Sequence, residues 1–130
     1  MTECWDLEEL QHLVRADCWG YLNEPADANH QGRAAKTCEN LDWKDADVAD
    51  FLCGILASDF IRTAPNCCVH EPLGLGYVDA DMYQVYWDEQ NRKSVGKNGK
   101  YDVVLFAKLA LVKDAGGHFC GLVTFHTSGM

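Results

Sequence analysis

The sequence predicts an α+β domain in which two N-terminal helices pack on one face of a C-terminal antiparallel sheet, a meander of three or more strands. Two patterns indicate this class, because apolar residues recur at helical spacing in the first half of the chain and alternate with period two in the second half. The third observation is size. A chain of 130 residues with 48% hydrophobic composition suits one domain, 1–130, with a single core.

The first helix is predicted over residues 7–22. Asp6 is its expected N-cap, and Glu9, three residues later, completes an acidic capping box. Trp5 and Leu10 occupy the two positions of a hydrophobic staple. These start signals agree with an apolar face that recurs every three or four residues, so the helix is expected to serve as scaffold.

The second helix is predicted to open near Asp42 and to form the core scaffold of the domain. Its apolar face is the strongest periodic signal in the chain and consists of Val48, Phe51, Leu52, Ile55 and Leu56. Residues 23–40 are expected to form a surface loop with a short helical turn at 32–38, and residues 66–80 an irregular connection.

Three strands are predicted at 82–90, 101–113 and 118–127. The first connection contains Asn98-Gly99, a typical two-residue hairpin turn, which would set Trp87 opposite Ala110 and Glu89 opposite Lys108. The second connection, 114–117, keeps the same alternation if its loop has two or four residues.

This register sorts the strand residues into two faces. The aliphatic face, which we expect to meet the helices, carries Leu105, Ala107, Leu109, Leu111, Cys120 and Leu122. The aromatic face carries Tyr83, Val85, Trp87, Phe106, Val112, Phe119, Val123 and Phe125. Because two helices cover only one face of a sheet, we expect the aromatic face to be exposed and to bind a partner through Trp87, Phe106, Phe119 and Phe125. The alternative is that residues 23–40 or 63–80 fold over it.

Charge is unevenly distributed along the chain. Residues 1–91 carry 5 basic and 18 acidic side chains, a net charge of −13, whereas residues 92–130 carry 6 basic and 2 acidic, a net charge of +4. With −9 overall, direct binding to a nucleic acid is not expected. A partner with a basic surface is expected instead, on acidic helical residues: Glu8, Glu9, Asp42, Asp45, Asp47 and Asp50. The few basic residues gather in a small tip around the first hairpin turn: Arg92, Lys93, Lys97 and Lys100.

The cysteine content and the lack of long apolar segments suggest the compartment. Seven cysteines, an odd number that includes the adjacent pair Cys67-Cys68, favour free thiols in a reducing environment. No apolar run approaches the length of a membrane span, and the N-terminus is acidic, unlike a secretory signal. We therefore expect a cytoplasmic protein without membrane contact.

One enzymatic alternative rests on a short motif. Asp17-Cys18-Trp19-Gly20 resembles the nucleophile segment of papain-like bacterial and phage cell-wall peptidases, and His118 and His126 follow, as base and orienting residue do in that family. The resemblance implies a hydrolase with Cys18 as nucleophile. In that family the cysteine begins a helix, where the dipole stabilises a thiolate, whereas Cys18 is predicted near the end of one.

A zinc site is the other alternative. Cys68 and His70, and likewise His118 and Cys120, are spaced so that each pair points to one side of an extended strand. Together they would supply the four sulfur and nitrogen ligands that zinc prefers. The Cys-x2–4-Cys knuckle of structural zinc sites is absent from the sequence, and no cofactor is otherwise implied.

The function expected from these observations is non-enzymatic protein binding, as a small acidic inhibitor or adaptor. In size and charge the chain is similar to phage-encoded inhibitors of host defence, immunity proteins and nucleic-acid mimics, whose carboxylates occupy basic grooves. The expected partner is another protein, for example one in a nucleic-acid-handling complex. Self-association through the aromatic face, as a homodimer, fits the sequence equally well.

Overall fold

The computed structural model describes residues 3–22, 33–69, 76–114 and 116–127, and within them it confirms the α+β class. These residues form three α-helices and a six-stranded sheet. The elements are α1 (Leu7–Arg15), β1 (Trp19–Tyr21), α2 (Arg33–Leu41), α3 (Asp45–Gly54), a 3₁₀ turn (Ala57–Asp59), β2 (Phe60–Val69), β3 (Gly76–Asp88), β4 (Lys93–Ser94), β5 (Val103–Asp114) and β6 (Gly117–Thr127).

The sheet is mixed, so the prediction of a purely antiparallel meander is wrong. Its strand order is β1-β6-β5-β3-β2, with the short β4 paired to β3. The pairs among β2, β3, β4, β5 and β6 are antiparallel, but β1 runs parallel to β6, with Trp19 opposite Cys120 and Tyr21 opposite Leu122. Of the three extra strands, β1 lies in the segment expected to continue the first helix, and β4 lies between the first two predicted strands. β2 begins at Phe60 and overlaps only the start of the irregular connection predicted at 66–80, whose end is also wrong because β3 begins at Gly76.

The start of α1 is confirmed, but its predicted end is wrong. The Asp6 carboxylate accepts a hydrogen bond from the N–H of Glu8 at 3.0 Å. The helix stops at Arg15, and Asp17 then adopts a left-handed backbone with φ 62°, which Asp tolerates better than most residues. This turn directs the chain into β1 and therefore places Cys18 outside the helix.

The core helix is confirmed as α3, although it begins at Asp45 rather than Asp42. The N–H of Lys44 donates to the Asp47 carboxylate at 2.9 Å, which satisfies one of the free donors at the helix start. Val48, Phe51 and Leu52 are fully buried, as their spacing predicts. The helix ends at Gly54, however, so Leu56 lies beyond it and is 49% exposed, and its predicted place on the buried face is wrong. Before α3, the expected helical turn is a complete helix, α2.

The register between β3 and β5 differs from the prediction, and the difference exchanges the faces of β3. Trp87 pairs with Val103 and Val85 with Leu105, not with Ala110 and Val112. The reason is the connection between these strands, because β4 pairs back on Trp87 through Ser94 before a turn at Gly99. The connection is therefore no two-residue hairpin, and the expected pair of Glu89 with Lys108 does not form.

Phe125 reaches the helix side of the sheet by a different route. The pairing of β5 with β6 shifts between Lys108, which pairs with Thr124, and Leu109, which pairs with Leu122. Val123 is therefore an extra residue of β6 without a partner position on β5. Such a bulge inverts the alternation of the residues beyond it. Phe125 consequently lies opposite Ala107, which belongs to the aliphatic face. The second turn, between Asp114 and Gly117, has two residues, one of the two lengths considered.

Two buried clusters lie on opposite faces of the sheet. The larger joins the aliphatic face to α1, α2 and α3, and its largest buried side chains are Trp87, Tyr83, Phe51 and Phe125. The smaller consists of Leu22, Ala80, Ala110, Val112 and Val123, with Trp5, Cys67, Val78 and Phe119 packed against it. Both faces of the sheet therefore carry buried apolar side chains.

Candidate functional site

The predicted aromatic partner surface is not formed as expected. Trp87 and Phe125 are 0% exposed in the single chain, and the prediction that they face outward is wrong. Phe51 lies 5.2 Å from each of them between ring centroids, and the Trp43 ring stacks on Phe125 at 5.9 Å. These rings build the core, so they are unavailable to a partner of the folded protein.

Phe106 and Phe119 are half-buried on the outer face of the sheet. Phe106 stacks on His126 with ring centroids 5.3 Å apart, whereas Phe119 packs against the smaller cluster. The four aromatic side chains therefore lie at three different places: two in the main core, one beside His126 and one at the smaller cluster.

The acidic helical residues are organised by the pairing of α1 with α3. The Gln11 side chain, on α1, donates hydrogen bonds to the carbonyl oxygens of Leu52 at 3.0 Å and Ile55 at 2.8 Å. Residues before α1 lie near the end of α3, and residues after α1 lie near its start, so the two helices run in opposite directions. Each end of the pair borders a groove with acidic walls.

The Leu56 groove, of about 400 Å³, lies where α1 begins and α3 ends. Its described walls are Glu3, Asp6, Leu7, Glu8, Gln11, Ile55, Leu56 and Ala57. Glu8 is exposed at this groove, and Leu56 is 49% exposed, a large fraction for an aliphatic side chain. The groove thus combines three carboxylates with an apolar contact surface.

The Trp19 groove, of about 370 Å³, lies at the other end of the helix pair, between β1 and the start of α3. Its described walls are Asp17, Trp19, Gly20, Tyr21, Asp45, Ala46 and Ala49. The rings of Trp19 and Tyr21 are 5.4 Å apart and meet at 65°. Asp17 and Asp45 are exposed, so this groove offers two carboxylates beside two half-buried rings.

Asp47 and Asp50 face a different neighbour, the Arg92 guanidinium. Arg92 contacts Asp47 at 2.9 Å and Asp50 at 3.6 Å, and it also donates a hydrogen bond to Glu89. The same guanidinium lies 5.2 Å from the centroid of the Trp43 ring. Arg92 therefore belongs to this ion-pair cluster rather than to a free basic tip, and Asp47, which is also hydrogen-bonded to Lys44, is committed within the chain.

The predicted acidic set therefore separates into groups. Glu8 joins the Leu56 groove, Asp45 joins the Trp19 groove, and Asp47 and Asp50 join Arg92. The remaining two, Glu9 and Asp42, are exposed.

The Cys18–His118–His126 arrangement of the hydrolase alternative is not assembled. The Cys18 carbonyl accepts a hydrogen bond from the N–H of Cys120 at 2.9 Å, which places Cys18 beside the start of β6. His126 lies near the other end of that strand, roughly 20 Å from Cys120 at about 3.3 Å per residue. There His126 stacks on Phe106, so it cannot orient a base beside Cys18.

The zinc alternative lies partly outside the described residues, because these exclude His70 and the side chain of Cys68. Of the other pair, His118 is exposed whereas Cys120 is fully buried. Burial, with a smaller contribution from nearby Cys53, raises the pKa of Cys120 to about 12. Within the part of the chain that is described, no three His, Cys, Asp or Glu side chains are grouped to hold a metal ion.

The two features that sequence reasoning missed are the Trp19 groove and the Arg92 cluster. The prediction of a helix over 7–22 includes Trp19-Gly20-Tyr21, although two aromatic residues separated by a glycine are also typical of a strand with both rings on one side. No local signal connects Arg92 with Asp47, since 45 positions separate them.

Comparison with protein-family models, curated proteins and solved structures found no match to this chain. Among the described residues, none of the helices combines the length and apolar character that crossing a membrane requires.

Proposed function

We propose that this chain is a non-enzymatic protein-binding domain that docks a basic partner on the surface formed by α1 and α3. The observation that carries the proposal is the position of exposed carboxylates and apolar side chains in one groove, because Glu8 and its acidic neighbours border the half-exposed Leu56. A surface of this kind supplies charge for steering and apolar area for stable contact.

Other features of the chain agree with this function. Glu9, Asp42, Asp45 and Asp50 are exposed on or beside the same helices, and the net charge is −9. The role is that of a small acidic inhibitor or adaptor, for example an anti-defence or immunity protein of phage type, with a protein of a nucleic-acid-handling complex as a candidate partner. The free thiols of Cys4, Cys18, Cys53, Cys67 and Cys120 suit the reducing cytoplasm as its compartment.

The test uses a partner captured from extract of the source cells and then purified. Its affinity is measured at low and high salt for the wild type and for single variants Glu8→Gln, Glu9→Gln, Asp45→Asn and Asp50→Asn. Each carboxylate that contacts the partner should lower the affinity about 1.5- to 5-fold when neutralised, and salt should weaken binding of the wild type.

The matched control is Glu39→Gln, which removes one exposed carboxylate on α2. Affinity that is equal for all these variants and independent of salt would exclude the acidic surface as the binding site.

A further inference from the structure

We infer that the Trp19 groove is a binding site for an arginine side chain of the protein partner. The inference rests on the proposed function and goes beyond it by assigning one residue type of the partner to one groove. It starts from the chemistry of the groove walls, where Asp17 and Asp45 supply negative charge and Trp19 and Tyr21 supply two aromatic rings.

The ring geometry suits a planar cation. The two rings touch edge to face, with centroids 5.4 Å apart at 65°, so a guanidinium would not enter between them but would stack on the open face of one ring. Cations are attracted to the faces of aromatic rings, and Trp is the strongest of these partners. Both rings are half-buried against the core, which holds them in place before a ligand arrives.

The charge of the groove is uncompensated by its own walls. Its described lining contains two carboxylates and, over those same residues, no Lys, Arg or His. Asp45 stands at the first position of α3, and Asp17 stands in the turn that leads into β1, so two separate elements bring the carboxylates to one groove. An incoming cation would be attracted by both.

The molecule contains the same recognition chemistry elsewhere, with the cation present. Arg92 places its guanidinium 5.2 Å from the Trp43 ring centroid while pairing with Asp47 and Asp50. The Trp19 groove repeats this combination of an indole ring and carboxylates with other residues of the same turns of α3, since Asp45 lines the groove whereas Asp47 and Asp50 contact Arg92. Arginine is favoured over lysine because its flat guanidinium stacks on an indole and its N–H groups fork onto carboxylate oxygens.

The size of the groove is also suitable. A volume of about 370 Å³ accommodates one long side chain and is small for a folded peptide segment. The occupant is therefore a single arginine that anchors the partner, while the Leu56 groove and the exposed acids between the two ends contact the rest of its surface.

In the test, the full chain is titrated with three small probes, and two-dimensional NMR monitors the signal of the Trp19 indole N–H at each step. They are N-acetyl-arginine amide, N-acetyl-lysine amide and N-acetyl-citrulline amide, the last being a neutral analogue of arginine. The arginine probe should shift the Trp19 signal saturably with a Kd in the millimolar range. The lysine probe should bind several-fold more weakly, and the citrulline probe should cause no saturable shift.

Variants locate the site. Asp17→Asn, Asp45→Asn and Trp19→Leu should each raise the Kd of the arginine probe about 2- to 30-fold. The control Glu39→Gln removes the same charge from α2, outside both grooves, and should leave the Kd unchanged. Because Trp19→Leu can weaken packing, the two aspartate variants carry the decision; Asn tolerates the left-handed backbone of Asp17.

The outcomes separate this inference from the proposed function. No saturable shift with the arginine probe, equal binding of citrulline, or a lysine Kd as low as that of arginine would overturn the inference, even if the purified partner still binds in a salt-dependent way. Conversely, a partner affinity insensitive to all the acidic substitutions would refute the proposed function, whatever the probes do.

Discussion

Phe125 and Phe106 offer a direct test of the sheet register, since the predicted register places both on one exposed face and the structure separates them. Phe125 is 0% exposed, whereas Phe106 is half-buried on the outer face. Replacement of each by alanine removes the same atoms, so the difference in cost measures the difference in environment.

The magnitude follows from the packing of each ring. Loss of a fully buried Phe costs about 3–5 kcal/mol, and the ring contacts of Phe125 with Trp43 and Phe51 put it at the upper end, about 4 kcal/mol. Phe106 loses its stack on His126 and part of its buried area, about 1 kcal/mol. The expected difference is therefore about 3 kcal/mol.

The assay is urea unfolding followed by circular dichroism, with the m value checked for constancy. If Phe125→Ala does not fold, Phe125→Leu against Phe106→Leu gives the same comparison at smaller cost. Equal destabilisation by the two substitutions, in either pair, would refute the register and the bulge that places Phe125 in the core.

Three further predictions concern polar groups in the described residues. Arg92→Met should lower the free energy of unfolding by about 1 kcal/mol at low salt and less at high salt, because Arg92 is partly exposed among its carboxylates. Lys93→Met, at the next position in β4, should change it by under about 0.5 kcal/mol in the same urea titration. The pKa of the Cys120 thiol is about 12 in the folded chain against 9.0 in the unfolded chain, so the unfolded state loses its proton first as pH rises. The free energy of unfolding therefore falls above pH 9, and at pH 10 this thiol has lowered it by about 1.4 kcal/mol. Cys120→Ala should remove that part of the alkaline decline in thermal unfolding and Cys18→Ala should not; equal pH profiles for both variants would contradict it. Asp81→Ala should lower the free energy of unfolding by about 3 kcal/mol, because the buried Asp81 carboxylate accepts hydrogen bonds from the N–H groups of Cys4 and Trp5 and from the Thr63 hydroxyl. Thr63→Val removes only one of these hydrogen bonds and should lower it by about 1 kcal/mol. Similar values for the two variants in chemical unfolding would show that the backbone contacts contribute little.

Local patterns were sufficient for the elements whose stability is local. The Asp6 cap, the burial of Val48, Phe51 and Leu52 on α3 and the extent of β5 and β6 follow from neighbours within a few positions, and the structure confirms them. The aliphatic face was also predictable, because Leu105, Ala107 and Leu109 occupy every second position of the strand, and all three are buried.

The face of the sheet on which Trp87 lies could not be predicted from local patterns. Strand alternation has a period of two, so one residue more or less in a connection moves every side chain to the other face, and the lengths of β4 and its turns are set by pairing rather than by turn residues. The predicted aromatic surface failed for this reason.

The candidate site divides in the same way. Net charge and the acidic character of the helices can be derived from composition, and exposed Glu8, Glu9, Asp42 and Asp45 agree with it. The grooves depend on contacts between residues far apart in the chain: β1 has only three residues and exists because β6, about a hundred positions later, provides its hydrogen-bond partners. Composition therefore determined the sign of the surface charge, whereas tertiary pairing decided which carboxylates face rings, which face Arg92 and which remain exposed, because distance in space is not encoded by distance along the chain.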